Sequence, residues 1–161
     1  MILILDNIRS IHNVGSIFRT ADAVGVKEII LGGITPSPID KYGRKVQRFT
    51  KVSLGAEDFV KWDKVSDISE RIVNLKKKKY KVWAVEQDEI SIPYYEVQDI
   101  DFEKLALIIG NEVDGITNEV IDLADGVLEI PMLGFKESLN VSVSFAIVAF
   151  GLRYGKIKFE N

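Results

Sequence analysis

The chain has 161 residues, of which 47% are hydrophobic and 28% charged, and this length and composition fit one soluble domain spanning residues 1–161. Its formal net charge of −3 argues against a protein coated with basic residues for binding nucleic acid. No apolar run approaches the ~20 residues of a membrane span, and the short, uncharged N-terminal run is no signal peptide, so we expect a cytoplasmic location and no membrane partner. Zero cysteine and one histidine exclude disulfides, thiolate metal sites and a histidine cluster, so we expect metal-free chemistry.

Hydrophobic periodicity predicts strands alternating with helices along the chain. In chain order the predicted elements are strand Ile2–Leu5, helix Asn13–Val24, strand Glu28–Leu31, helix Lys41–Val46, strand Asp58–Trp62, helix Ser66–Lys78, strands Lys81–Val85 and Leu105–Ile109, helix Asn118–Leu123, strand Val127–Ile130 and a last helix. This alternation is typical of an α/β fold with a mainly parallel sheet and helices on both faces. Ligands of such sheets bind at the carboxyl ends of strands, which directs attention to the loops after Val85, Ile109 and Ile130.

The last predicted helix is unusual because it is apolar nearly all round, which predicts burial. We expect Ser138 to be its N-cap. Its small residues, such as Ser142 and Ala146, would let another backbone or a second subunit approach closely. Glu137, Ser138 and Asn140 crowd its N-terminal end, where unpaired polar atoms are costly, so they bind either a ligand or simply the helix backbone.

A basic segment interrupts the otherwise acidic chain. Residues 40–51 contain five lysines and arginines but only one acid, Asp40. If the segment is helical, Lys41, Arg44, Lys45 and Arg48 share one face that could contact phosphates. A solvated surface helix is the alternative.

Two further stretches contain candidate functional residues. In the first, Asn13 is expected to cap a helix on which Arg19 lies off the apolar stripe, where it could equally form a surface ion pair with Asp22. In the second, Gly110 and Gly115 have the outer spacing of a phosphate loop, but Ile116-Thr117 replaces the required Lys-Ser/Thr. Gly110 could instead let a flat heterocycle approach the backbone.

Three motifs together resemble a known family. N-V-G-S-I-F-R-T-A-D-A-V-G-V, I-I-G-N-E-V-D-G-I and I-P-M-L-G-F-K-E-S-L-N-V-S-V look like the ordered motifs of the SpoU (TrmH-like) RNA ribose 2′-O-methyltransferases of the SPOUT class, and the match spans Leu5 to Phe150. The resemblance implies an α/β sheet whose C-terminal segment forms a deep trefoil knot. It also implies a homodimer with the knot helices in its interface, and S-adenosylmethionine as cofactor.

The resemblance also assigns residues to roles. Cofactor contacts are expected at Val85, Glu86, Gly110, Ile130, Met132 and Leu139. The expected active-site residues are Asn13, Arg19, Glu112, Ser138 and Asn140. Independently of the resemblance, RNA contacts are expected at Arg9 and at four residues of the basic segment, Lys41, Arg44, Lys45 and Arg48.

The chemistry requires that a ribose hydroxyl lose its proton while the methyl group is held in line with it. The family arginine, here Arg19, has been proposed to take that proton, but a guanidinium stays protonated throughout the ordinary pH range. We therefore hypothesise that Arg19 binds the adjacent phosphate and stabilises the developing alkoxide. The proton would go to solvent or to a carboxylate such as Glu112.

The substrate is less well defined by the sequence. Val85-Glu86-Gln87 and the S-L-N motif look slightly more like the branch that methylates tRNA guanosine ribose than the wobble-position branch, and rRNA stays open. Several relatives carry an added RNA-binding domain, whereas this chain begins at its first predicted strand, so we expect the dimer surface or a partner to select the RNA. One alternative is a non-catalytic RNA-binding dimer, which would be expected to lose Arg19 or Asn140, both present here. The other alternative is a small-molecule or nucleotide-binding enzyme on an ordinary doubly wound sheet. Such an enzyme requires a G-x-G-x-x-G fingerprint after a strand, and this sequence has none.

Overall fold

Two fully buried strands form the centre of the sheet: β1 (Ile2–Asp6) and β6 (Leu105–Ile109). They pair in parallel, with Leu3 opposite Leu107. Because successive side chains point to opposite faces, Leu3 and Leu5 join one hydrophobic cluster, whereas Ile2 and Ile4 join a second cluster on the other face. A strand buried on both faces reads as a continuous apolar run, as in all five residues of β6 and the first four of β1.

The computed structural model describes residues 1–155. The remaining strands are β2 (Glu28–Gly32), β3 (Lys61–Val65), β4 (Lys81–Val85), β5 (Ile92–Pro93) and β7 (Gly126–Glu129). In the described residues the seven strands form one parallel sheet in the order β3-β2-β1-β6-β4-β7-β5. The helices are α1 (Ile11–Val24), α2 (Gln47–Ser53), α3 (Ser69–Lys77), α4 (Asn118–Ile121) and α5 (Val141–Tyr154), with short 3-10 helices at Ala56–Asp58 and Phe102–Lys104. The predicted parallel α/β fold is confirmed.

The helices cover both faces of this sheet. Buried side chains of α1, α2 and α5 belong to the first cluster, where Phe18 and Phe49 meet edge to face with ring centroids 5.1 Å apart. Buried side chains of α3 and α4, such as Ile72 and Val120, belong to the second. From β1 the chain moves outward to β2, and from β6 it moves the other way to β7. The carboxyl ends of β1 and β6 are therefore where an ordinary doubly wound sheet would bind a ligand. The cavity of this protein instead lies at the ends of β4, β6 and β7.

The predicted helix Lys41–Val46 is wrong. Gly43 has a φ of +76°, and the Asp40 side chain accepts hydrogen bonds from the N–H groups of Tyr42 and Arg44 at 2.8 and 3.0 Å. An aspartate that bonds its own neighbouring backbone favours a turn over a helix. The helix begins only at Gln47, so the four basic residues do not share one helical face.

Other predictions were displaced or missed. The strand predicted at Asp58–Trp62 lies three residues later, because Gly55, at a φ of +89°, starts a 3-10 helix over Ala56–Asp58. The two-residue strand β5 was missed, since it is too short to show a period and contains Pro93. By contrast, β4 and β6 begin and end where predicted.

The prediction that the last helix is buried all round is wrong for one chain. On α5 only Phe145, Val148 and Ala149 are buried. Val143, Phe150 and Tyr154 are between 40% and 45% exposed. The helix therefore has one face on the core of its own chain and one apolar face in solvent.

Within residues 1–155 no helix is both long and apolar enough to cross a membrane. In the same part of the chain, acids and histidines form no group of three placed to hold a metal ion.

Candidate functional site

A cavity of about 570 Å³ lies at the carboxyl ends of β4, β6 and β7. It is lined by the loops after Val85, Ile109 and Ile130, the three loops expected from ligand binding at the carboxyl ends of strands. All the predicted cofactor residues are among its lining residues, namely Val85, Glu86, Gly110, Ile130, Met132 and Leu139. The same is true of four of the predicted catalytic residues, Asn13, Glu112, Ser138 and Asn140.

Gly110 is required because the loop after β6 folds back on itself. A Cβ at this position would lie 2.4 Å from Ile116 Cγ1 and 2.8 Å from the Ile116 nitrogen. Asn111 and Gly115 exchange two backbone hydrogen bonds, of 3.2 and 3.1 Å, which close the loop. The space that a Cβ on Gly110 would occupy is thus filled by the chain itself, which by itself requires a glycine. Gly110 also lines the cavity, and the approach of a flat heterocycle to its backbone stays a prediction.

Two side chains of the loop after β4 tie the three loops together. Glu86 Oε2 accepts a hydrogen bond of 3.1 Å from the N–H of Ile116 in the loop after β6. The Gln87 side-chain amide donates a hydrogen bond of 2.6 Å to the carbonyl oxygen of Glu137 in the loop after β7. The walls of the cavity are therefore cross-linked by hydrogen bonds, although they come from distant parts of the sequence.

A polar cluster of three side chains lies on one side of the cavity. The Asn13 amide donates to Glu112 Oε1 at 2.8 Å, and Asn13 Oδ1 accepts from the Asn140 amide at 3.0 Å. The cluster joins helix α1, the loop after β6 and the N-cap of α5. Three of the five predicted catalytic residues are thus in direct contact.

Both predicted helix caps are wrong, and the difference explains this cluster. Helix α1 is capped by Ser10, whose Oγ accepts the N–H of Asn13 at 3.3 Å, so the Asn13 side chain lies in the first turn and reaches Glu112. Helix α5 is capped by Asn140, whose Oδ1 accepts the N–H of Ser142 at 2.9 Å. The predicted cap Ser138 instead lies in the loop and lines the cavity. The prediction missed the true caps because serine and asparagine are equally good N-caps.

Glu112 is held at the N-terminal end of α1. Its carboxylate accepts hydrogen bonds from the backbone N–H groups of Arg9 and Ser10, at 3.0 and 3.2 Å, in addition to the one from Asn13. Partial burial alone would raise the pKa of this carboxyl, but the hydrogen bonds together lower it below its ordinary value. The positive end of the helix dipole stabilises the same charge. Glu112 is therefore anchored as a carboxylate, which makes it a weak base.

Asn111 contributes to the site although sequence reasoning missed it. Its side chain is buried, donating to the Asn7 carbonyl oxygen at 2.7 Å and accepting from the N–H of Val113 at 2.8 Å. It thereby fastens the loop after β6 to the loop after β1, beside Glu112. The available signal was its place between Gly110 and Glu112 in the second motif, since asparagine commonly bonds backbone two residues on.

Arg19 is the one predicted catalytic residue that does not line the cavity. It is exposed on α1, six residues after Asn13, which corresponds to about 9 Å along a helix. It joins none of the ion pairs formed by residues 1–155, so the alternative of an ion pair with Asp22 is not supported.

Most of the predicted RNA-contacting residues have acidic neighbours. Arg9 pairs with Asp114 at 2.6 Å, Arg44 with Asp40 at 2.8 Å and Lys45 with Asp58 at 2.5 Å. Lys41 and Arg44 both lie over the Tyr42 ring, about 5 Å from its centroid. This segment follows the carboxyl end of β2, two strands or about 10 Å from β6 along the same edge of the sheet. It is thus near the cavity but separate from it.

Comparisons with known proteins agree on one family. A model of the SpoU rRNA Methylase family matches residues 1–150. The tRNA (guanosine(18)-2′-O)-methyltransferase of Thermus thermophilus is 34% identical over 157 residues, which cover 97% of this chain and 75% of that enzyme. The 23S rRNA (guanosine-2′-O-)-methyltransferase RlmB of Neisseria meningitidis is 34% identical over 151 residues, which cover 92% of this chain and 56% of that enzyme.

A solved structure has the same fold. The AdoMet-bound rRNA methyltransferase from Sinorhizobium meliloti superimposes with a TM-score of 0.82 at 26% identity, covering 98% of this chain and 57% of that one.

The anchoring of Glu112 can be tested by titration. In Asn13→Ala we expect the pKa of the Glu112 carboxyl to rise towards its ordinary value, because one donor to the carboxylate is lost. Carboxyl carbon NMR shifts followed against pH measure this, with Thr20→Ala on the same helix as control. Because the pKa is lowered in the folded state, the stabilisation by Glu112 is present above its ordinary pKa and is lost as the pH falls through the folded value. An unchanged pKa in Asn13→Ala would contradict the hydrogen-bonded cluster.

Proposed function

The chain belongs to the SpoU rRNA Methylase family, and on this premise we propose that it is an S-adenosylmethionine-dependent enzyme that methylates a ribose 2′-hydroxyl of RNA. The observation that carries the proposal is the contact between a ligand-sized cavity and the Asn13–Glu112–Asn140 cluster. A cofactor and a ribose could therefore be held side by side.

The cavity residues fit S-adenosylmethionine. Its volume of about 570 Å³ lies within the range of small-molecule sites. Val85, Ile130, Met132 and Leu139 offer apolar side chains for a flat ring, and the strand-end backbone offers N–H and C=O groups for its edges. When bound, the cofactor supplies an electrophilic methyl group on a sulfonium.

We assign the remaining steps to the polar residues at the edge of the cavity. Asn13 and Asn140 orient the ribose through hydrogen bonds, and Ser138 supplies a further hydroxyl beside them. Arg19, which stays charged, binds the adjacent phosphate and stabilises the negative charge that develops on the ribose oxygen. Glu112 keeps Asn13 in place, and its lowered pKa favours solvent over Glu112 as the proton acceptor.

We further propose that residues 1–161 form a single domain whose C-terminal segment is threaded as a deep trefoil knot. The sheet order supports this, because β7 lies between β4 and β5, both of which precede it in the chain. The segment after β7 then passes close enough to the loop after β4 for Gln87 to bind Glu137. Because threading of this kind is nearly absent from other folds, it would distinguish this chain from an ordinary doubly wound sheet.

A second copy of the chain is the proposed partner for the exposed face of α5. Val143, Ile147, Phe150 and Tyr154 recur at the spacing of one helical face, and three of them are at least 40% exposed. A twofold dimer would bury the same face of both copies against each other.

We propose tRNA as the substrate, with a guanosine ribose as the target. The Thermus relative, named for a tRNA guanosine, is covered over 75% of its length, whereas the rRNA relative of equal identity is covered over 56%. An rRNA is the second candidate substrate.

The phosphates of the RNA would contact the basic residues Arg9, Lys41, Arg44, Lys45 and Arg48. A non-catalytic RNA-binding dimer is the competing function.

Transfer of labelled methyl from S-adenosylmethionine to purified total tRNA, and separately to rRNA, tests the proposal. We expect label in tRNA that protects one internucleotide bond from alkali, as a 2′-O-methyl group does. Arg19→Ala should lower kcat/KM by at least about a hundredfold, because a charge that stabilises the developing oxyanion is lost. Arg71→Ala, which removes a half-exposed arginine of α3 that pairs with Asp63, is the control for loss of an arginine elsewhere on the chain.

Label confined to rRNA would overturn the choice of tRNA and leave the chemistry intact. RNA binding without label would favour the non-catalytic dimer. Full activity in Arg19→Ala would remove Arg19 from the mechanism.

The dimer proposal is tested by Phe150→Glu. We expect wild type to sediment as a dimer and this variant as a monomer, because a carboxylate would be buried on each side of the apolar interface. Val73→Glu, at a comparably exposed position of α3, should remain a dimer. A monomeric wild type at micromolar concentration would contradict the proposal.

A further inference from the structure

Two large apolar side chains stand almost wholly in solvent beside the cavity. Leu133 and Phe135 are 100% and 96% exposed, more than any other large hydrophobic residue in residues 1–155. Single exposed apolar residues are normal on protein surfaces. Two of them in one short loop next to a ligand-sized cavity indicate a contact surface.

This loop is a wall of the cavity. Met132 on one side of the pair and Ser138 on the other both line it. Near the C-terminal end of this loop, the Glu137 carbonyl oxygen accepts a hydrogen bond from Gln87, which attaches the loop to the loop after β4. A Cβ on Gly134 would meet no heavy atom within 4 Å, so the middle of the loop projects into open space. Phe135 is therefore carried at the edge of the cavity and not inside it.

The charges around the cavity do not favour phosphate there. Glu112, Asp114 and Glu137 are exposed acids of its surrounding loops, and the nearby cation Arg9 is paired with Asp114. Lys136 is an exception, with its ammonium 5.9 Å from the centroid of the Phe135 ring. Besides the phosphate contact proposed for Arg19, RNA close to the cavity therefore needs an attraction that does not depend on phosphate.

We propose that Phe135, flanked by Leu133 and Lys136, is a stacking platform for an unpaired base of the RNA substrate. The inference rests on the proposed function. A ribose hydroxyl can enter the cavity only if its nucleotide leaves the helical stack, and unstacked bases are commonly held on aromatic rings. A cation beside the ring adds to this attraction, and stacking tolerates the acidic surroundings because it needs no phosphate contact.

The test compares Phe135→Ala, Phe135→Trp and the control Phe59→Ala, which removes an exposed phenylalanine that does not line the cavity. Binding of purified total tRNA is measured by filter retention at several salt concentrations, and binding of S-adenosylmethionine by calorimetry. We expect Phe135→Ala to weaken RNA binding about ten- to a hundredfold, with the tryptophan variant close to wild type. Phe59→Ala should bind like wild type, and cofactor binding should be unchanged in all three variants.

Salt dependence separates stacking from charge. Phe135→Ala should weaken RNA binding by the same factor at every salt concentration, because no phosphate contact is lost. Arg48→Ala should instead reduce the salt slope by about one.

Three results would overturn the platform: unchanged RNA binding in Phe135→Ala, an equal loss of cofactor binding, or dissociation of the dimer. The second would make the loop a cover for the cofactor, and the third would make it part of the subunit interface. Binding is measured without turnover, so the outcomes of the two proposals are distinguishable. If wild type binds RNA through Phe135 but transfers no methyl group, the platform stands and the proposed function falls. If wild type binds no RNA, both fall.

Discussion

The site depends on one carboxylate at the start of one helix. Glu112 accepts the N–H groups of Arg9 and Ser10 and the side-chain amide of Asn13, and so joins the loop after β6 to the N-terminus of α1. This connection lies at the carboxyl ends of β1 and β6, the two central strands of the sheet. Without it, Asn13 would keep only its hydrogen bond to Asn140, and its side chain would be less firmly oriented beside the cavity. The main role of the Glu112 carboxylate is therefore to position the side chains around it.

A second set of bonds gives the cavity its shape. Glu86 and Gln87 leave β4 in succession, one bonding the loop after β6 and the other bonding the loop after β7. Three loops that are far apart in sequence become one cross-linked surface, with few side chains committed to it. The proposed division of labour follows from this arrangement: backbone and apolar groups for the cofactor, amides for the ribose, and exposed cations and rings for the RNA.

The sequence predicted the elements well where burial alone decides them. Strands β4 and β6 were placed without error because their side chains are largely apolar on both faces. Prediction failed where local polar chemistry competes with periodicity, as when Asp40 and Gly43 turned an expected helix into a loop. The three loops that line the cavity followed from the rule that ligands bind at the carboxyl ends of parallel strands, whereas the individual lining residues were anticipated through family resemblance. The exposure of Phe135 has no signal in the sequence.

Every assignment at the site depends on S-adenosylmethionine binding in the cavity between these three loops. Backbone amide NMR spectra of the wild-type protein during titration with the cofactor test it directly. We predict saturable shifts concentrated at Val85, Gly110 and Ile130, with the distant strand β3 unaffected. Absence of shifts at saturating cofactor, or shifts confined to other parts of the chain, would contradict the account.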